Sequence, residues 1–193
     1  MRNHRGNTSI PHLVKRALNL AEQMEYTGSC SNETGRLLQL LASSFLSGVI
    51  GEISTGCGVA AAWILSALAP STSFFSVEAD VARAAATRAL FEPLLNVRVI
   101  QGDWREFLHN WRFGMLFASA AGNRSEYPEL ILKSLQQGSL LVLDGLPPPG
   151  KVSLRSRQEA GRVRDFWLND PRVLSMEIDV SATEAVIIAT RVS

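Results

Sequence analysis

The chain has only two cysteines, Cys30 and Cys57, and neither belongs to a CxxC motif or a Cys/His cluster. A disulfide framework and a structural zinc site are therefore excluded as organising devices, and a reducing cytosol fits best. An excess of one charge is lacking too, because 19 basic and 18 acidic residues leave a formal net charge of +1. Bulk electrostatics thus offer no attraction to nucleic acid, anionic lipid or acidic substrates; any such partner would need a local patch. An unbroken long hydrophobic run is missing as well. Ile53 to Val77 carries no charge over roughly 25 positions, the length of a membrane span, but Gly56, Gly58, Ser66, Pro70 and the polar cluster from Ser71 to Ser73 divide it. It reads as a buried strand, a buried helix and another strand, so no membrane partner is expected. Arg2, His4 and Arg5 open the chain with no apolar stretch behind them, so no secretory signal is read and the expected compartment is the cytoplasm.

What is present is a globular composition, 193 residues with 46% hydrophobic and 19% charged. The segment from Ile10 to Tyr26 sets Leu13, Ala17, Leu20, Ala21 and Met24 at helical spacing, with Ser9 as a cap and Pro11 in the first turn. In "SNETGRLLQLLASSF", Ser31 or Asn32 can cap a second helix, Glu33 suits its positive end, Leu37, Leu38, Leu40, Leu41 and Phe45 form the buried face, and Gly35 weakens the first turn. The period then switches back and forth. Strands are expected at "GVIGEIS", "TSFFSVE", "VRVIQ", "GMLFAS" and "GSLLVLD". Helices alternate with them at "VAAAWILSALA", Asp80 to Leu95, Trp104 to His109 and Glu126 to Leu135. Nearly continuous apolar strands alternating with helices specify a parallel sheet covered on both faces, doubly wound by right-handed crossovers. After "LPPPGKVS", a basic helix from Leu154 to Leu168 leads to "VLSMEIDV" and "EAVIIATRV", separated by so few residues that they form an antiparallel hairpin. The expectation is a Rossmann-like doubly wound α/β sheet of about seven strands with two N-terminal helices. It forms one domain over 1–193, with a helical cap at 1–47 and a core at 48–193.

In such a sheet ligands bind beyond the carboxyl ends of the strands, where "GEISTGCGVAA" follows the first strand. A phosphate-binding P-loop would need Lys after Gly56, where Cys57 stands, and a hydrolase nucleophile elbow would need Gly two residues before Ser54, where Glu52 stands. A dinucleotide fingerprint fits better. Gly56, Gly58 and Ala61 spell GxGxxA, and Glu78 ends the next strand about 20 residues later. The plainest alternative is that the glycines only permit a tight strand-to-helix turn.

These residues also resemble a family, the class I S-adenosylmethionine (SAM)-dependent methyltransferases, and within it the small O-methyltransferases similar to catechol and caffeoyl-CoA O-methyltransferases. The resemblance runs from "SNETGRLLQLLA" to "AVIIATR". The family's acidic-x-Gly-x-Gly-x-Gly motif matches Glu52, Gly56 and Gly58, with Ser54 in place of the first glycine. "FFSVEAD" resembles the segment whose carboxylate holds the cofactor ribose, here Glu78. "VIQGDWREFL" resembles the adenine-contacting segment, here Asp103 with Trp104 beside it. The resemblance thus implies SAM as cofactor, with Glu52, Ser54, Gly56, Gly58, Glu78, Asp103, Trp104 and Ser119 as the cofactor-binding set. The chemistry agrees, since glycines let the backbone approach the ligand and carboxylates accept from ribose hydroxyls and the adenine amine.

The catechol-type relatives use a divalent cation, held by an Asp ending the fourth strand and an Asp-Asn or Asp-Asp pair ending the fifth. Here Ser119 stands at the first position, Asp144 is followed by Gly145, and Gly122, Asn123 and Arg124 occupy the stretch where a lysine is expected. One carboxylate is a poor magnesium site, so no metal is expected and Asp144 is the candidate catalytic residue, as general base or orienter of an acceptor hydroxyl. Arg124 or Lys151 could steer an anionic substrate; Tyr127, Trp104 and His109 have plain readings as packing or solvated side chains. Three readings follow: methyl transfer to an oxygen of a small-molecule acceptor, a non-catalytic SAM-binding or S-adenosylhomocysteine (SAH)-binding module, and an NAD-binding protein. Acceptor specificity would lie in the Met24 to Thr34 region and the loop from Pro147 to Ser153. A homodimer through the exposed parts of the N-terminal helices is open on the same ground.

Overall fold

The computed structural model describes residues 9–119, 127–147 and 154–193. Its elements run α1 (His12–Gln23), α2 (Asn32–Ser43), β1 (Gly48–Ile53), α3 (Val59–Leu65), β2 (Thr72–Glu78), α4 (Val81–Phe91) and β3 (Val97–Gln101). They continue with α5 (Trp104–Asn110), β4 (Phe113–Ser119), α6 (Pro128–Ser134), β5 (Leu135–Leu146), α7 (Leu154–Asn169), β6 (Val173–Asp179) and β7 (Ala185–Arg191). The strands form one seven-stranded sheet in the order β3-β2-β1-β4-β5-β7-β6. Pairings from β3 through β5 are parallel, and β7 pairs antiparallel with both β5 and β6. The expected architecture and reversed final hairpin are therefore present.

Side chains of the central strands point alternately into two cores, one on each face of the sheet. Ile50, Phe74, Met115 and Val142 join Val14, Leu38, Trp63 and Phe91 of the flanking helices. Leu116, Leu141 and Ile187 join Phe107, Ile131 and Trp167 on the opposite face. Register then aligns the strand ends: Ile53 lies beside Val77 and Ala118, Glu78 beside Gln101, and Ser119 beside Asp144.

Several boundaries differ from expectation for physical reasons. α1 has Pro11, not Ser9, at its N-cap, and it stops at Gln23 because Glu25 turns to φ 50°. The Tyr26 N–H then bonds back to the Ala21 carbonyl at 2.9 Å, which closes the helix end. α2 is capped by Ser31, whose hydroxyl accepts from the Thr34 N–H at 3.1 Å. Leu40, expected on its buried face, is 67% exposed, and Leu38 with Ala42 carries the packing. Gly35 is less a weakness than a requirement: a Cβ there would strike the indole of the fully buried Trp63. α3 ends at Leu65, with the Ser66 hydroxyl bonded to the Ala62 carbonyl at 2.6 Å. α4 ends at Phe91: Glu92 still has helical angles (φ −49°, ψ −37°), but Pro93 follows with no N–H to continue the ladder. β5 starts directly at Leu135, without the expected loop after α6.

Candidate functional site

The loop after β1 hangs from the end of β2. The N–H groups of Ser54 and Thr55 both donate to the Val77 carbonyl, at 2.9 and 3.1 Å. The chain then passes through Ser54 at φ 64°, Gly56 at φ 57° and Gly58 at φ 78°, all in the left-handed region that glycine enters without steric cost. Ser54 is the position where the resembling motif has its first glycine, and the backbone there retains the glycine conformation. Gly58 also admits close packing: a Cβ would meet Thr87 and Phe91 at 2.7 and 2.9 Å. The Thr87 hydroxyl donates to the Gly56 carbonyl at 3.0 Å, fixing the loop to α4.

Glu78 is 4% exposed, and its carboxylate is engaged on both oxygens. Oε2 accepts from the Gly56 N–H at 2.8 Å; Oε1 accepts from the Asp80 N–H at 3.0 Å and from Arg83 Nη2 at 2.8 Å. The Arg83 guanidinium lies 5.2 Å from the centre of the Tyr26 ring. That ring packs so closely over Gly56 that a Cβ there would meet it at 2.6 Å. Tyr26 and Arg83, neither of them singled out by motif, thus cover the glycine loop and the β2 carboxylate. The turn at Glu25 delivers Tyr26, and the helix start at Asp80, whose side chain accepts from the Arg83 N–H at 2.8 Å, delivers Arg83.

At the end of β3, Asp103 caps α5 by accepting from the Arg105 N–H at 2.7 Å, and pairs with Arg105 Nη1 at 2.9 Å. Arg105 lies over Trp104 and Tyr127, whose rings meet edge to face at 5.7 Å. Trp104 and Tyr127 therefore pack together beneath a guanidinium, and His109 is exposed in the last turn of α5.

A second chamber lies beyond the ends of β1, β4 and β5. Glu52, Ser54, Thr55, Ser119, Asp144, Ser29 and Cys30 line a cavity of ≈ 30 Å³, with Tyr26 at its wall. That volume suits about one water-sized group. Glu52 is 1% exposed, and Asp144 is 6% exposed. Burial first, then the charges of Asp144 and Glu78, push the Glu52 carboxyl well above the usual glutamate range, against a lowering hydrogen bond from the Ala61 backbone. Burial first, then the charges of Asp144, Glu52 and Glu184, raise the Cys30 thiol. Burial and Glu78 raise the Tyr26 phenol, opposed by Arg83. Gly122, Asn123, Arg124 and Lys151 lie outside the described residues, as does most of the loop from Pro147 to Ser153. The structure thus gathers Glu52, Ser54, Ser119 and Asp144 at one chamber and Gly56 with Glu78 at the adjoining loop. Asp103 and Trp104 stand one strand further out. Tyr26, Ser29, Cys30, Thr55 and Arg83 are additional polar residues; the first three fall in the Met24 to Thr34 region expected to set acceptor specificity, and no motif pointed to Thr55 or Arg83.

No protein-family model and no curated protein matches the chain. Solved structures do. An O-methyltransferase from Bacillus cereus, in complex with SAH, superposes with a TM-score of 0.80 at 21% identity, covering 95% of this chain and 92% of that one. The O-methyltransferase TomG from Streptomyces achromogenes, involved in tomaymycin synthesis and solved with SAM, gives 0.81 at 19% identity over 96% and 92%. A proposed caffeoyl-CoA O-methyltransferase from Staphylococcus aureus gives 0.72 at 19% identity over 96% and 93%. The chain has the fold of the class I SAM-dependent O-methyltransferases of the caffeoyl-CoA type. No helix among the described residues is long and apolar enough to cross a membrane.

Proposed function

We propose that the protein is a SAM-dependent methyltransferase, one domain over 1–193, that transfers a methyl group to an oxygen of a small-molecule acceptor without a metal ion. The observation that carries this reading is the convergence of the glycine loop at Gly56 and Gly58, the β2 carboxylate Glu78 and the β3 carboxylate Asp103 at neighbouring strand ends of this fold. The residues suit the cofactor. The loop has no side chain of its own at Gly56 and Gly58, with Tyr26 packed over Gly56, and Glu52 keeps one buried carboxyl oxygen, Oε2, without a partner. Glu78 would accept from ribose hydroxyls, Asp103 from the adenine amine, and Glu52 would face the methionyl amino group. When bound, SAM supplies an electrophilic methyl on its sulfonium. Asp144, at the edge of the chamber, would take the proton from an acceptor hydroxyl.

A divalent cation does not fit this donor set. Ser119 and Gly145 flank a single carboxylate, and the described residues contain no group of three His, Cys, Asp or Glu arranged to hold a metal. Asp144 therefore works in this reading by hydrogen bonding and proton transfer alone.

Calorimetric titration with SAM, SAH and NAD, on the wild type and on Glu78→Gln, tests the cofactor. Binding of SAM and SAH that the variant loses supports the reading; preference for NAD, or no heat from any of the three, overturns it. Turnover of labelled SAM over an acceptor panel then tests the chemistry, and sensitivity to EDTA would overturn the metal-free part. A second reading, a SAM-binding or SAH-binding module without catalysis, is favoured by Ser54, Ser119 and Gly145, which depart from the resembling family's motif at the site. Robust transfer to any acceptor removes it.

A further inference from the structure

Glu52 is a buried acid of the chamber with no ion-pair partner among the described residues. Its Oε2 has no hydrogen-bond partner at 1% exposure. The groups that face it are Asp144 from the end of β5, Glu78 from β2, the Cys30 thiol ahead of α2, the Tyr26 phenol after α1 and the Ala61 N–H of α3. The remaining polar walls are the hydroxyls of Ser29, Ser54, Thr55 and Ser119; no Lys, Arg or His among the described residues lines the cavity. Arg83, over the adjoining loop, is spent on Glu78.

Burial strongly disfavours an isolated carboxylate relative to water, so the stable form of the empty site is the neutral acid. A chamber of ≈ 30 Å³ has room for one small cationic head and little else. The site therefore demands a single positive charge, which a proton meets in the empty protein and a ligand can meet in its place.

We infer that Glu52 holds a proton in the unliganded protein and that a ligand carrying a primary ammonium group into this chamber expels it to solvent. The inference rests on the cofactor reading above, since the methionyl end of SAM or SAH carries such a group. The exchange balances: the O–H bond of Glu52 breaks, the ammonium keeps its protons and donates to the new carboxylate, and one proton passes to the buffer.

The test is titration of the full chain with SAH near neutral pH in two buffers of different ionisation enthalpy, beside Glu52→Gln. SAH has the ammonium group but no sulfonium charge. The expected result is release of about one proton per SAH by the wild type, read from the difference in heats, and none by Glu52→Gln. Equal heats in the two buffers, or an undiminished difference in the variant, overturn the coupling. Infrared difference spectra of the ligand-free proteins supply an independent arm: a carboxylic-acid C=O band present in the wild type and missing in Glu52→Gln supports the stored proton, and its absence from the wild type refutes it. If neither SAM nor SAH gives any heat, the cofactor reading and the coupling fall together, while the infrared band still decides whether Glu52 holds the proton.

Discussion

The carboxylates at the ends of β1 and β5 and those of the C-terminal hairpin live under opposite rules. In the hairpin region Glu177 and Asp170 are each matched by a guanidinium. Glu177 on β6 takes both branches of the Arg164 guanidinium from α7, at 2.6 to 3.0 Å. Asp170 accepts from Arg172, which also reaches Glu129 on α6. Hydrogen bonds from Arg172 hold Asp170 down at about 2. At the chamber, Glu52 is pushed up instead, by burial and by the neighbouring acids Asp144 and Glu78. Charge in the hairpin serves to fasten α7 and α6 to the added strands. In the chamber Glu52 is buried without an ion-pair partner among the described residues, as expected where a ligand is to supply one.

The contrast breaks most visibly if one chemical change is made in both places. Glu177→Gln leaves the Arg164 guanidinium, which is 18% exposed, without its bidentate partner. The expected loss is about 2 kcal/mol at neutral pH, in the range for hydrogen bonds to charged groups, read by urea denaturation. Glu52→Gln removes an acid whose charged form is unwelcome, so the variant is expected to equal or exceed the wild type at neutral pH and above. A similar loss in both variants would erase the distinction.

The pH dependence sharpens the same point, because the two regions carry opposite signs. Asp170 titrates lower folded than unfolded, so its contribution is present above the ordinary aspartate range and disappears as pH falls toward about 2. Glu52 titrates higher when folded, so the folded state keeps a proton that the unfolded state has already released. Its contribution is complete below the ordinary glutamate range and is lost as pH rises toward the folded value. Denaturation of Glu52→Gln across pH should therefore lack part of the alkaline decline of the wild type while keeping its acid limb. An unchanged alkaline limb would assign the decline to other groups, Cys30 and Tyr26 among them.

The difference between the regions also explains what the sequence made legible. Strands Thr72–Glu78 and Val97–Gln101 match the expected segments because apolar β-formers there are bounded by polar or acidic residues. The reversed hairpin follows from the short polar stretch between two apolar strands. The glycine loop and Glu78 were legible as a ligand site because backbone conformation and strand order constrain them locally. Tyr26 and Arg83 were not, since their place over the loop depends on a non-glycine residue at φ 50° and on how α1 packs beside α4. Nor was the pairing of Asp103 with Arg105 read, although the two residues are near neighbours, because an exposed acid looks the same free or bonded.

The smallest expected effect lies at Ser54, where the site region stores backbone strain that the hairpin does not show among its described residues. Ser54 holds φ 64°, a conformation that costs a residue with a Cβ about 1 kcal/mol or slightly more relative to glycine. The unfolded chain of a glycine variant is more flexible, which returns part of that gain. Ser54→Gly should therefore stabilise the fold by at most about 1 kcal/mol, measured by denaturation at neutral pH. Because Ser54 also lines the chamber, the same variant separates two roles for the hydroxyl. If SAH affinity is kept while stability rises, the serine is simply a strained substitute for the motif glycine. If affinity falls although the fold is firmer, the hydroxyl contacts the ligand, and the strain is retained for binding.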